Sequence, residues 1–322
     1  MNKENKRTIN SKNAIIGLAV ADALGVPIEF SSREQLANNN VTEMTEYGTY
    51  DVQKGSWSDD TSMTLCLIDA INKTGEIVPK DIMDNFVKWV KFKEYTPAGV
   101  LFDIGGTCLE AIRNYYEYDE SPLNCGLDSE DKNGNGSLMR ISPIIYYAYS
   151  KNLKEDEIYK IVKDVSSLTH RHSISIMACY IYVLYGIELL KGKSIKEAYD
   201  IIKSKDYSMF DDNTRTKYNR ILNINISLLD IYEINSTGYV VDTLEATFWA
   251  LLTTDSYHNA IIKAVNLGND TDTIGACTGA LAGLYYGIDS INESWKKELL
   301  RIDYILDLCD EFDRVLNKVQ NK

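Results

Sequence analysis

Apolar residues recur at three- and four-residue spacing along nearly the whole chain, while runs that alternate apolar with polar are scarce. This pattern predicts helices over roughly 12–24, 60–73, 80–94, 99–117, 135–149, 155–167, 172–190, 195–204, 214–229, 241–253, 256–266, 271–286 and 294–318. Boundary residues reinforce several of them: Pro79 in a first turn, Ser194 ahead of Ile195, Asp242 opening its segment, and Gly25 and Gly287 closing theirs. The one Asn-Gly-rich stretch, 132–137, leads into a helix instead of joining two alternating runs, so it marks no hairpin. No fixed period repeats, which argues against a solenoid. The expectation is all-α: a compact orthogonal multi-helix bundle of roughly 12–14 helices.

Two segments stand out within this pattern. Ile176–Leu190 is the most apolar, but it falls short of the roughly twenty residues a membrane span needs and reads as a buried core helix. Gly275, Gly279, Gly283 and Gly287 recur every fourth residue in one helix. Each costs about 1 kcal/mol relative to alanine, so the stripe predicts a central helix that neighbouring backbones approach closely. Segments 117–133 and 205–215 read as exposed connections.

With 44% hydrophobic residues and only five prolines, the 322-residue chain supports one large core. It is expected to form a single domain over 1–322, with residues 1–11 a disordered polar tail. The net charge of −13 disfavours a binder of nucleic-acid backbone, which needs a basic face. Six scattered cysteines with no C-x-x-C pair, and no signal peptide, predict reduced thiols in a cytoplasmic protein. The expected state is a monomer with no membrane partner. Three histidines leave little material for a zinc site of the N/S type.

The chemistry concentrates in two distant acidic clusters, Ser58-Asp59-Asp60-Thr61 and Asn269-Asp270-Thr271-Asp272-Thr273. Each opens an apolar helical pattern. Helix capping accounts for one or two such residues at each place. It does not account for adjacent aspartates, whose joint ionisation is unfavourable unless a cation lies between them. Inside a regular helix Asp270 and Asp272 would point about 200° apart, so they converge only where the chain is still turning. Together the clusters offer the oxygen ligands that hard divalent cations require.

Other candidates are weaker singly. Asn133-Gly134-Asn135-Gly136-Ser137 is a glycine-rich turn of the kind that presents backbone N–H groups to an anion, though it matches neither a Walker loop nor a dinucleotide fingerprint. Glu29 and Asp103 are carboxylates among apolar and glycine neighbours, where desolvation would raise the pKa toward an acid–base role, although on local grounds alone a surface carboxylate at a turn is the favoured reading. His170 reads first as a structural histidine.

Taken in order, these motifs resemble the ADP-ribosylglycohydrolases. The resemblance rests on Gly17 with Asp22–Phe30, Gly55–Met63, Thr96–Val100, Gly134–Arg140, Thr169-His170, Ser236–Ala246 and Ala264–Gly279, and it covers residues 12–290. It implies an all-α domain with a dimetal cleft, in which Ser58, Asp59, Asp60, Asp270, Asp272 and Thr273 hold two Mg²⁺ or Mn²⁺ ions. Ser58 stands where the family often has threonine. Glu29, Asp60, Asp103 and Asp272 are the implied catalytic carboxylates. Gly99, Gly134, Asn135, Gly136, Ser137 and His170 match positions that hold the diphosphate and adenosine end. The implied reaction is hydrolysis of the bond from ADP-ribose C1″ to an acceptor, with arginine on an ADP-ribosylated protein favoured through Asp103. Alternatives are a serine-linked or other O-linked ADP-ribose hydrolase, a phosphodiester hydrolase, a catalytically silent ADP-ribose-binding module and a purely structural helical protein.

Overall fold

The computed structural model describes residues 9–320, and among them every regular element is helical apart from isolated bridge pairs. The α-helices are α1 (Lys12–Gly25), α2 (Arg33–Asn38), α3 (Asp59–Thr74), α4 (Pro79–Phe92), α5 (Gly106–Tyr118), α6 (Pro143–Ser150), α7 (Glu155–Ser167) and α8 (Ser173–Leu190). They continue with α9 (Ile195–Lys203), α10 (Asp212–Lys217), α11 (Asn219–Asn223), α12 (Val240–Leu252), α13 (Tyr257–Val265), α14 (Thr271–Tyr286), α15 (Glu293–Glu298) and α16 (Ile302–Gln320). Of the expected tail over 1–11, residues 1–8 lie outside the described range. Ile9 and Ser11 are buried, and the Ser11 N–H donates to Asp313 Oδ1 at 2.9 Å.

The sixteen described helices exceed the thirteen expected segments because α2 lies outside all of them and two expected segments are each cut in two. Within 214–229, the chain turns at Tyr218 and becomes extended at Ile224. Within 294–318, Leu299 is extended and Arg301 left-handed, while the Leu300 N–H reaches out of the helix to the Gly55 carbonyl at 3.0 Å. Two starts also fall late. Positive φ at Gly99 and Asp103 keeps that stretch irregular until Gly106. The helix expected from 135 begins at Pro143, whose missing N–H and fixed φ suit a first turn.

The core is built around α1 and α14. A β-carbon on Gly279 would lie 2.2 Å from the Gly17 carbonyl oxygen, and one on Gly25 would lie 2.4 Å from Asp272 Cα. Glycine at these points lets the two backbones touch, which is what the four-residue glycine stripe requires. The contact also lays the C-terminal end of α1 against the first turn of α14. Helix α8 has the length and composition of a membrane span, but 83% of it is buried inside the protein, where it serves as a core helix.

Candidate active site

The two acidic clusters meet. Ser58 is the N-cap of α3, placing Asp59 and Asp60 in its first turn, and Asp270 occupies the same position ahead of α14. Asn269 is left-handed at φ 59°, so the chain is still turning where Asp270 and Asp272 converge. Across 213 residues of sequence, Thr273 Oγ1 donates to Asp60 Oδ2 at 3.3 Å, and Ser58 Oγ donates to the same oxygen at 2.8 Å. Oxygens of Asp22, Asp60 and Asp272 lie within 4.8 Å of one another, and so do those of Glu29, Asp270 and Asp272. Asp272 belongs to both groups.

Burial makes this arrangement costly without a counter-charge. Asp60 Oδ1 and Asp272 Oδ2 are buried and accept no hydrogen bond. No lysine or arginine forms an ion pair with these carboxylates among the described residues. Burial pushes Asp60 and Asp272 well above the usual carboxylate range, and neighbouring carboxylates push further: Asp22 and Asp270 on Asp60, Glu29 and Asp103 on Asp272. Asp59 is raised by burial and then by Asp103 and Asp60. Two orphaned carboxylate oxygens within a dense, all-oxygen donor set fit hard divalent cations.

Asp22 is the participant to which the sequence assigned no role. It lies on α1, fully buried, and accepts from the N–H of Ser58 at 2.9 Å, the N–H of Thr61 at 3.1 Å and the hydroxyl of Thr61 at 2.5 Å. These bonds fasten the first turn of α3 to α1. Burial raises its carboxyl to about 7, against the lowering effect of those donors. The available signal was a lone aspartate inside the apolar run of α1, since a buried charge needs partners.

Above this floor lies a cavity of about 440 Å³ whose lining includes Glu29, Asp59, Asp103, Asp270, Thr273, Gly134, Asn135, Gly136 and His170. Asp60 and Asp272 lie beneath the lining. The glycine turn is held firmly: Asn135 Nδ2 donates to Asp270 Oδ2 at 2.6 Å and to Thr243 Oγ1 at 2.9 Å, and the Asn135 N–H donates to the Gly238 carbonyl. A β-carbon on Gly136 would lie 2.6 Å from Cys108 Sγ and 2.9 Å from the His170 ring, so only glycine keeps this wall open. His170 is buried and contacts Thr169 Oγ1 through Nδ1 at 2.8 Å. Burial, with Arg140 nearby, lowers its pKa to about 3, which keeps the imidazole neutral. Arg140 is itself fully buried, donating to the carbonyls of Gly136 and Val165 with its guanidinium over the Phe86 ring.

Glu29 and Asp103 both line the cavity, close enough for their charges to interact. Burial first, then Asp103, raises the Glu29 carboxyl to about 8, opposed by a 2.5 Å hydrogen bond from Tyr50. Tyr50 carried no signal in the sequence. Two expected ligand-binding residues are not brought to the lining. Ser137 is buried between Ser166 and Cys179, and Gly99 is exposed with its N–H bound to Thr96. A larger cavity, about 560 Å³, lies around Ala148 and Leu184 and shares no residue with the carboxylate site.

Comparison with known proteins agrees with this geometry. The family model for ADP-ribosylglycohydrolase matches residues 5–322. The chain is 31% identical over 311 residues to the ADP-ribosylarginine hydrolase Tri1 of Serratia proteamaculans, covering 96% of this chain and 80% of that protein. It is 29% identical over 289 residues to the ADP-ribosyl-[dinitrogen reductase] glycohydrolase of Rhodospirillum rubrum, covering 89% and 88%. A solved ADP-ribosylglycohydrolase-related protein complex superposes with a TM-score of 0.74 at 27% identity, over 97% of this chain and 99% of that one. The chain therefore belongs to the ADP-ribosylglycohydrolase family of hydrolases.

Proposed function

We propose that this protein removes mono-ADP-ribose from arginine side chains of proteins, hydrolysing the bond from C1″ to the guanidinium nitrogen with the aid of two divalent cations, Mg²⁺ or Mn²⁺. The observation that carries the reading is the meeting of Asp60 and Thr273, which makes the two acidic clusters one floor beneath a cavity walled by a glycine-rich turn. Ser58, Asp59, Asp60, Asp270, Asp272 and Thr273 would hold the cations, with Asp22 fixing the α3 turn. Cations held there would supply Lewis acidity to sugar hydroxyls and acidify water.

The remaining work falls to side chains of the cavity wall. A volume of about 440 Å³ falls within the range for small-ligand sites. Gly134 and Gly136 offer a diphosphate their backbone on either side of Asn135, whose own N–H is held by Gly238, and neutral His170 adds a hydrogen-bonding group without charge. In hydrolysis water adds its oxygen to C1″ while the C1″–N bond breaks. One proton leaves the water and one reaches the departing nitrogen. Glu29 and Asp103 both face the cavity, so they are suited to carry these protons. Asp60 and Asp272, beneath the lining, would contribute by holding the cations. Buried reduced cysteines support a cytoplasmic enzyme, and the single core supports a single domain.

The test is incubation with an arginine-ADP-ribosylated protein in MnCl₂ or EDTA, with product analysis. Free ADP-ribose in MnCl₂ and none in EDTA is expected. Release of AMP would instead identify a phosphodiester hydrolase. Binding of ADP-ribose with no turnover at saturating Mn²⁺ would identify a silent binding module.

A further inference from the structure

Two carboxylates of the cavity lining each have an aromatic neighbour in the chain: Glu29 is followed by Phe30, and Asp103 is preceded by Phe102. Tyr50 joins them, with its ring centroid 5.1 Å from Phe102 and 6.5 Å from Phe30, and with its hydroxyl bonded to Glu29 at 2.5 Å. Phe30 is 68% exposed, unusual for a phenylalanine in a well-ordered turn. The turn is held in place: the Phe30 N–H donates to Asn269 O at 2.7 Å, and Thr49 Oγ1 donates to Glu29 O at 2.7 Å. Phe30 at φ 64° and Asp103 at φ 48° both adopt left-handed backbone, which a bulky ring such as Phe30 rarely takes and aspartate takes more readily. Such strain persists where the surroundings impose it, and it clusters at ligand sites. Here it sets the Phe30 ring in the cavity lining with the two carboxylates, with Tyr50 packed against Phe30 and Phe102 against Tyr50.

Rings beside carboxylates suit a planar, delocalised cation. A guanidinium stacks on aromatic faces and pairs with carboxylates, and one bearing a sugar on nitrogen keeps its charge. A serine-linked acceptor offers neither a plane nor a charge. Resting on the arginine-hydrolase reading above, we propose that Phe30, Tyr50 and Phe102 form an aromatic collar that grips the guanidinium of the modified arginine and positions its C1″–N bond over the cavity. The three rings are positioning and specificity residues for the acceptor side of the substrate: Phe30 lines the cavity beside Glu29 and Asp103, and Tyr50 and Phe102 lie outside the lining.

The test compares Phe30→Leu, Phe102→Leu and Phe30→Tyr with the wild type, all in saturating MnCl₂. Two quantities are measured: kcat/KM on an arginine-ADP-ribosylated protein, and the inhibition constant of free ADP-ribose. The leucine variants should lose roughly tenfold in kcat/KM, with the ADP-ribose constant unchanged. Phe30→Tyr, which keeps a ring, should stay near the wild type. An unchanged kcat/KM in the leucine variants, or a parallel weakening of ADP-ribose inhibition, overturns the collar while leaving the hydrolase reading intact. A wild-type protein inert on the arginine-linked substrate overturns the hydrolase reading, and the collar with it.

Discussion

Replacing Asp272 by asparagine should have opposite effects on the protein with and without divalent cations. Asp272 belongs to both carboxylate groups, whose oxygens lie within 4.8 Å. Two unit charges at that distance repel by about 3.5 kcal/mol at an effective dielectric of 20. The three pairs among Asp22, Asp60 and Asp272 would therefore cost about 10 kcal/mol if all were ionised, comparable to the whole stability of a typical domain. Without cations the cluster must hold protons, and a neutral amide in place of the Asp272 carboxylate relieves it. The amide keeps an oxygen for the Thr273 N–H, which Asp272 now receives at 2.9 Å. With cations bound, the same substitution removes a ligand. Binding at a thousand times Kd stabilises by about 4 kcal/mol. For 322 residues the unfolding entropy converts this to a rise in Tm of about 6 °C. Differential scanning fluorimetry in EDTA and in MnCl₂ reads both arms. Expected are a wild-type rise of that order in MnCl₂, little or none in Asp272→Asn, and a variant Tm in EDTA equal to or above the wild type. A variant destabilised equally in both buffers would mean that Asp272 merely caps α14, and the cation argument would be wrong.

Packing and charge away from the site give two more expectations. Gly279→Ala should destabilise by about 3 kcal/mol, because its β-carbon would meet the Gly17 carbonyl and neither backbone can retreat; urea unfolding at constant m-value checks this, and a loss below about 1 kcal/mol would contradict the close approach. Burial raises Asp313 to about 6, so the folded state holds its proton more tightly than the unfolded chain does. That contribution is present below about pH 4 and is lost as pH rises through about 6. The stability of the wild type relative to Asp313→Asn should accordingly fall by about 2 kcal/mol between about pH 4 and 7. A flat difference across that range would show that Asp313 is not buried against Ser11.

Much of this was legible in the sequence, because helix periodicity and capping are local. The segments Glu155–Ser167 and Thr271–Tyr286 run as expected, and the glycine stripe foretold the central contact of α14. Local signals failed where a distant group took over a backbone bond. The Leu300 N–H pairs with Gly55, from the far end of the chain, and breaks a helix that periodicity alone would continue. The ordered motifs identified the family, and with it the carboxylates worth attention.

What those residues do to one another only the tertiary structure decided. Repulsion between Asp60 and Asp272 exists because α1 and α14 touch at glycines and bring two helix N-termini together. The role of Asp22, fastening α3 from the buried end of α1, depends on that same contact. So does the separation of Asp60 and Asp272, outside the cavity lining, from Glu29 and Asp103 within it. Tyr50 and the rings beside it had no signature at all, since their meaning lies in the carboxylates they face. Sequence specifies which groups are present and how each short segment turns. Distance sets electrostatic energy, and distance between remote segments is fixed by the packing of the whole.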